Sequence, residues 1–231
     1  MADNVVIEPM SEEFILWRCL HSGPLSLETI EQWPTDGPVD WGHLRGRNIA
    51  LLKTLTRAYG ACAILARSGS RIVGQLRFYP RVVWGRDDAG ELCLQQDFPN
   101  GPASGLAEAE FPPLSQISDR TLLIHCLMTG SPQQEDNPFQ RKGIGTRLVL
   151  FLAEWAKAQG WERLEVDAFE DIPLIYEITG SAGIKFWNQL GFKTVDRHPH
   201  PFLQDRSEFV DTLEKQAASV GIPPEKARDR I

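Results

Sequence analysis

Two glycines stand where an amphipathic helix begins. The stretch "QRKGIGTRLVLFLAEWAKAQG", residues 140–160, opens with charged residues, Gly143 and Gly145, and continues with an apolar stripe at helical spacing. Glycine in a helix costs about 1 kcal/mol relative to alanine, so some other requirement must offset that cost. Apolar stretches typical of strands precede and follow this helix, at 121–129 and 163–169. A strand, a helix and a further strand in that order predict part of an α/β sheet.

The rest of the chain adds elements around this unit. Strands are predicted at 5–8, on both sides of a turn at 68–70 and at 193–198, and helices at 11–21, 43–59 and 181–192, the last capped by Ser181. This order predicts an α/β (α+β) fold, with a mixed central sheet of about six to seven strands and helices on both faces.

Domain organisation follows from where the regular patterns stop. We expect one domain at 1–204, followed by a helical extension at 205–231. Residues at about 85–119 are rich in glycine, proline and acidic side chains, and this stretch is too long for a simple connection. We therefore interpret it as an insertion in the domain.

Charge and composition exclude several classes of protein. The net charge of −7 argues against a general nucleic-acid binder, which would carry a basic face. No run approaches 18 apolar residues, so no membrane span is predicted. The four cysteines form no CxxC pair, so we expect neither a metal site nor a disulfide framework. The first residues lack the features of a secretory signal, and the expected location is cytoplasmic.

Three phosphate-binding devices compete to explain the glycines. A P-loop needs GxxxxGK[ST], which the sequence does not contain. A dinucleotide fingerprint needs GxGxxG, but Leu148 stands where the third glycine belongs. The third device is [Gln/Arg]-x-x-Gly-x-[Gly/Ala], which residues 140–145 satisfy. There, backbone amides at the helix start hold a pyrophosphate, and glycine is needed because a side chain would keep the phosphate away.

A strand, the QRKGIG stretch, an amphipathic helix and "FWNQLGF" at 186–192 together resemble the GNAT superfamily of N-acetyltransferases. The resemblance covers 120–196, and extends to 1–80 by the order of elements. It implies transfer of an acyl group, usually acetyl, from acetyl-CoA as a substrate to a primary amine of a small molecule or peptide. It also implies that the strands 121–129 and 163–169 are parallel neighbours that splay apart. The resemblance leaves open whether the protein forms a homodimer.

The resemblance also assigns residues to coenzyme A. A main-chain amide after the splay would polarise the thioester carbonyl, and this falls on Leu127, Met128 or Thr129. Phe186 and Trp187 would line the pantetheine arm, with a place in the core as the alternative. The diphosphate would bind at the helix start, through Gln140, Arg141, Lys142, Gly143, Ile144, Gly145 and Thr146.

Catalytic candidates follow from the proton that the amine must lose. His125 is the candidate base, because its pKa lies near the working range; a histidine bonded within the sheet is the alternative. Asp167 would attract the cationic amine or assist its deprotonation. Many family members use a tyrosine as the acid for the leaving thiolate, but here Trp187 stands at that position. Tyr176 or Ser181 would then serve, unless no acid is needed.

Three further interpretations stay open. Without the family tyrosine, the chain is also compatible with a non-catalytic acyl-CoA-binding module that acts as a sensor. Cys126 is a chemically reasonable acyl-carrying nucleophile, although the family mostly transfers the acyl group directly. Trp33, Trp41 and Trp84 would either line an acceptor pocket or act as packing anchors in loops.

Overall fold

The structure is a computed structural model of the 231-residue chain. It describes residues 4–18, 20, 25–32, 41–86, 92–94, 111–130, 137–179, 182–198, 207–227 and 229. The chain divides into two compact units. The first contains Met1–Trp84 and Leu94–Glu165, and the second contains Gly85–Cys93 and Val166–Ile231.

Eight strands are present in the described residues. They are β1 (Val5–Pro9), β2 (Leu25–Ser26), β3 (Ala63–Ser68), β4 (Arg71–Pro80), β5 (Trp84–Arg86), β6 (Leu92–Leu94), β7 (Thr121–Thr129) and β8 (Arg163–Val166). β5 and β6 pair with each other, and the other six form one sheet in the order β1-β3-β4-β7-β8, with β2 also on β4. The strand pairs from β1 to β7 are antiparallel.

β8 runs parallel to β7. The amides of Glu162 and Arg163 donate to the carbonyl of Arg120, at 2.9 and 3.2 Å. The start of β8 therefore lies beside the start of β7, and the two strands run in the same direction. Parallel neighbours need a long crossover, and the helix between them supplies it. The predicted mixed sheet is confirmed.

Five α-helices are described: α1 (Trp41–Tyr59), α2 (Ile144–Gln159), α3 (Pro173–Thr179), α4 (Ile184–Gln189) and α5 (Ser207–Ala217). Among these, none is long and apolar enough to cross a membrane. The stripe predicted for α2 is buried through Ile144, Leu148 and Leu152. Gly160 ends this helix with φ at 89°, a left-handed conformation that favours glycine.

Helices cover both faces of the sheet in the first unit. On one face, the ring of Trp155 in α2 lies 5.2 Å from that of Phe78 in β4. Successive side chains of a strand point to opposite faces, so Arg77 points to the other face. Cys62 lies near Arg77, and its sulfur is 3.6 Å from the carbonyl of Leu52 in α1. α1 therefore covers the face opposite α2, as predicted.

The helix predicted at 11–21 is wrong. Its described residues form turns, in which Leu16 and Trp17 are buried side by side. The amide of Leu16 donates to the sulfur of Met10, and the carbonyl of Trp17 accepts from the side chain of Asn48. The apolar residues that suggested one helical face instead bury consecutive side chains, which a surface helix does not do.

The strand predicted at 193–198 is also wrong. These residues are exposed and irregular, and the side chain of Val195 is 87% exposed. A strand needs either a partner or a buried face. β8 is also shorter than predicted, because regular pairing ends at Val166 rather than at residue 169.

The second unit has a small core of its own. Ile172 and Ile175, the second of which lies in α3, pack with Leu213 and Ala217 of α5, and Ala227 completes the group. α5 is therefore half of a core rather than a surface element. The boundary predicted near residue 204 stays a prediction, and most of the predicted insertion lies outside the described residues.

Candidate active site

β7 contains a β-bulge at His125, the residue predicted to act as the catalytic base. In the pairing with β4, Arg77 lies opposite Cys126 and Phe78 lies opposite Ile124. His125 is thus an extra residue of β7 with no partner position on β4. Bulges of this kind redirect side chains and are common beside active sites.

The imidazole of His125 lies on the face of the sheet that α1 covers. Its ring centre is 5.9 Å from that of Tyr79, and the side chain is exposed. Tyr79 itself is buried, and this burial raises its pKa to about 12. Tyr79 is therefore a neutral wall at neutral pH, and His125 is the group at this place that water can reach.

The outer edge of β7 is only partly covered by β8. β8 has four residues and starts beside Arg120, so it reaches along β7 about as far as Ile124. β7 continues to Thr129. The last part of β7 therefore extends past the end of β8, as the predicted splay requires.

The amide directions select among the three candidate donors. The amide of Gly130 donates to the carbonyl of Val73 in β4, at 2.8 Å. Amides along a strand point alternately to its two edges, so the amide of Met128 also points to β4. The amides of Leu127 and Thr129 point to the outer edge, beyond the end of β8. These two fit the role of an oxyanion donor better than Met128 does.

A tight turn precedes α2. Arg141 has φ at 55° and Gly143 has φ at 72°, so two left-handed residues stand within three positions. The amide of Arg147 donates to the carbonyl of Gly143 at 3.0 Å, which is the first bond of the helix. The amides before Arg147 have no carbonyl in their own helix, as at any helix start.

The surface of this turn is open. Gln140, Arg141, Lys142 and Gly143 are exposed, whereas Ile144 is buried. A Cβ atom built on Gly143 would meet no atom within 4 Å. The turn therefore presents bare backbone to solvent, with the positive end of a 16-residue helix behind it. These properties fit a diphosphate.

Arg147 has a different partner. Its guanidinium donates to the carbonyl of Val5 in β1, at 2.7 Å. The positive charge at the turn therefore comes mainly from Arg141 and Lys142, and Arg147 joins α2 to the edge strand.

Sequence reasoning missed Gly74, which places α2. A Cβ atom on Gly74 would lie 3.1 Å from Ile144 and 3.1 Å from Leu148, both at the start of α2. The missing side chain lets the helix start approach the middle of β4. A glycine inside a strand often marks such an approach, and that rule was the available signal.

The second unit holds the other predicted residues. The side chains of Asp167 and Tyr176 are exposed, and Phe186 is half-buried. Trp187 is only 4% exposed, and its indole nitrogen donates to the carbonyl of Ala182 at 3.1 Å. These are the properties of a core residue, which was the alternative for this position.

A left-handed glycine follows the end of α4. Gly191 has φ at 89°, and the amide of Phe192 donates to the carbonyl of Trp187 at 3.1 Å. The rings of Phe192 and Trp187 lie 5.1 Å apart. This is the Schellman arrangement.

The start of α4 differs from the prediction. The predicted cap, Ser181, lies outside the described residues. The carboxylate of Asp171 accepts from the amide of Lys185 at 3.0 Å and so caps the helix from outside it. A side chain on Gly183 would overlap this carboxylate, which explains the glycine.

One group of predicted site residues lies in the first unit. It consists of His125, Leu127, Met128 and Thr129 on β7, and Gln140 to Thr146 at the start of α2. Asp167, Tyr176, Phe186 and Trp187 belong to the second unit. Over the described ranges, no group of three or more histidine, cysteine or acidic residues is arranged to hold a metal ion.

Residues 120–192 match the acetyltransferase (GNAT) family. We refer to residues 120–192 as the matched segment. It covers about a third of the chain and contains β7, the turn, α2, β8, α3 and α4. Every residue predicted to bind coenzyme A or to act in catalysis lies within this matched segment. No curated protein matches the chain.

Several solved structures resemble the chain weakly. A transcriptional regulator from Bacillus halodurans C-125 is 18% identical, with 84% of this chain and 95% of that chain covered and a TM-score of 0.44. The aminoglycoside acetyltransferase AAC(6')-Iy, bound to a bisubstrate analogue, is 15% identical, with coverages of 84% and 95% and a TM-score of 0.43. A ribosomal-protein-alanine N-acetyltransferase from Brucella melitensis is 15% identical, with coverages of 84% and 94% and a TM-score of 0.38.

Proposed function

We propose that this protein is an N-acyltransferase that moves the acetyl group of acetyl-CoA to a primary amine of a small molecule or peptide. The match of residues 120–192 to the acetyltransferase family supports the reaction class. The turn before α2 carries the proposal, because its exposed backbone fits a diphosphate and its glycine leaves room for one.

Coenzyme A would bind along a short path on the first unit. Its diphosphate would accept hydrogen bonds from the amides at the start of α2, with Arg141 and Lys142 adding charge. Its thioester would lie beside the end of β7, beyond the reach of β8. An amide of Leu127 or Thr129 would donate to the carbonyl oxygen and stabilise the negative charge that develops there.

The transfer is a direct displacement. The lone pair of the amine attacks the thioester carbon and forms a C–N bond, giving a tetrahedral intermediate whose oxygen carries the charge. The C–S bond then breaks, and the sulfur leaves as the thiolate of coenzyme A. The nitrogen, which carries a positive charge after the attack, gives up one proton to this thiolate or to water. A thiol has a pKa of about 8.5, so this thiolate leaves without strong acid assistance. An acid such as the tyrosine of many family members is then not essential. The reaction can proceed with Trp187 at that position.

The amine must lose protons during this sequence. An alkylammonium has a pKa of about 10.4, so at neutral pH it is mostly protonated and cannot attack. The imidazole of His125 is exposed on β7 two residues before Leu127. It would accept the proton directly or through water, as a general base does.

The test is thiol release with acetyl-CoA and a panel of primary amines. We expect release above buffer hydrolysis with at least one amine, and a product that mass spectrometry identifies as the amine with one hydrogen replaced by an acetyl group. Calorimetry with coenzyme A on the same protein measures donor binding separately.

A sensor is the second candidate function. The absence of a tyrosine at Trp187 and the core-like burial of that residue favour it. Tight coenzyme A binding without transfer to any amine, including peptide amino termini, would support the sensor and overturn the transferase.

A further inference from the structure

The side chain of Asn137 connects the end of β7 to the turn before α2. Its amide nitrogen donates to the carbonyl of Thr129, at 3.1 Å. Its amide oxygen accepts from the backbone nitrogen of Phe139, at 3.1 Å. One side chain therefore bonds to the last residue of the strand and to the segment that leads into the turn.

Three further observations support this connection. Gly130 has φ at 68°, and a Cβ atom there would overlap the amide of Asn137, so only glycine leaves room for it. The guanidinium of Arg71 in β4 lies 5.6 Å from the ring centre of Phe139, within the range of a cation–π contact. The amide of Gln140 also donates to the carbonyl of Asn137, at 3.3 Å.

The two ends that Asn137 joins are the two halves of the proposed donor site. The amides of Leu127 and Thr129 would meet the thioester, and the turn at 140–145 would meet the diphosphate. Coenzyme A has to reach both at once, so the spacing between them determines how well one molecule fits. Fixing that spacing before binding lowers the ordering cost of the complex.

We propose that Asn137 is a positioning residue that holds the diphosphate turn at a fixed place relative to the thioester end of β7. This inference rests on the proposed function, because it assigns a role within the same donor site. Asn137 does not touch the reacting atoms. Its effect is on the affinity for the whole coenzyme A molecule.

The test replaces Asn137 with alanine and compares two donors. For Asn137→Ala we expect the KM for acetyl-CoA and the Kd for coenzyme A to rise about tenfold, as when one hydrogen bond of about 1.4 kcal/mol is lost. S-acetylpantetheine lacks the diphosphate and does not span both halves. Its kcat/KM should stay within about twofold of the wild type, as should kcat with acetyl-CoA.

Asn48→Ala is the matched control. Asn48 also donates from its side-chain amide to a backbone carbonyl at 3.1 Å, that of Trp17, but on α1. It should lose stability without a change in the Kd for coenzyme A. Asn137→Asp is the second variant. It keeps the acceptor for Phe139 and loses the donor to Thr129, so it should still fold and should weaken coenzyme A like the alanine variant.

The outcomes separate the two proposals. If the wild type binds no coenzyme A, the proposed function fails. If the wild type binds coenzyme A and both Asn137 variants bind it equally well, the positioning role is overturned. An equal loss of kcat/KM for acetyl-CoA and S-acetylpantetheine also overturns it, because the residue would then act on the fold alone.

Discussion

Individual glycines of this protein do two different things. At Gly143 the backbone is left-handed and the space beside it is open, so the residue is suited to a ligand. At Gly74 the backbone is an ordinary strand and the space is taken by α2. The sequence identified Gly143 because the spacing to Gln140 forms a motif. Gly74 was not identified, because the sequence does not show which helix packs against β4.

Replacing Gly143 with leucine tests the turn directly. The side chain would occupy the space of the diphosphate, and we expect coenzyme A affinity to fall about a hundredfold, equivalent to one or two charge-assisted hydrogen bonds. The left-handed backbone adds about 1–2 kcal/mol of destabilisation. Gly221→Leu is the control, since Gly221 also has a left-handed φ, of 78°, and open space. Unchanged calorimetric affinity in Gly143→Leu would contradict the assignment.

His125→Gln tests the proposed base. Glutamine keeps a polar side chain on the bulge but cannot accept a proton at neutral pH. We expect kcat to fall about a hundredfold or more, with the KM for acetyl-CoA unchanged. His198→Gln is the control, because His198 is an exposed histidine of the second unit. A kcat within twofold of the wild type, measured across the pH range, would exclude His125 as the base.

Elements were predicted best where a clear period had a definite end. The apolar stripe of α2 was predicted from its helical spacing, and the helix ends at Gln159, one residue before the end of the stretch 140–160. The turns at 11–18 were not, because buried apolar residues there serve a core that only the tertiary fold defines. The bulge at His125 could not be predicted either, because it depends on how β7 pairs with β4 and not on the sequence of either strand alone.

The helix α5 gives a prediction at this scale. Leu213 is fully buried with Ile172 and Ile175. Leu213→Ala should destabilise the second unit by about 2–5 kcal/mol, the usual cost of such a cavity. Lys215→Ala, on the exposed side of the same helix, should change stability by less than about 0.5 kcal/mol. Hydrogen exchange at the amides of α3 measures both. Equal protection in the two variants would show that α5 is not part of this core.

The whole molecule is two compact units, and this division was not predicted. Composition and periodicity indicated the fold class and the order of most elements. They did not separate residues 166–231 from the sheet that precedes them, because the pattern of a packed helix is the same in either unit. The candidate site was predicted as far as its motif reached. The residues that position the site, including Asn137, act through tertiary contacts. The spacing of residues along the sequence does not show these contacts.

Stability at alkaline pH is a property of the whole first unit. Burial raises the pKa of Cys62 to about 11 and that of Tyr79 to about 12. In the unfolded chain these groups ionise at about 8.5 and about 10. Because the folded pKa values are the higher ones, the unfolded state releases protons first, and folding stability falls as the pH rises from about 8.5.

Urea unfolding at pH 8 and pH 10.5 measures this loss. Each group should contribute up to about 1.4 kcal/mol per pH unit between its two pKa values. Cys62→Ala and Tyr79→Phe should each reduce the dependence on pH. If the double variant loses as much stability as the wild type over this range, these two groups are not its source.

The extra residue in β7 also bears on how such a chain can vary. Strand pairing on either side of His125 differs by a single position. A homologue shortened by that one amino acid would therefore pair both segments with β4 in an unbroken ladder. The histidine can therefore be gained or lost by inserting or deleting a single codon. The pairing of β7 with β4 on either side of it stays the same.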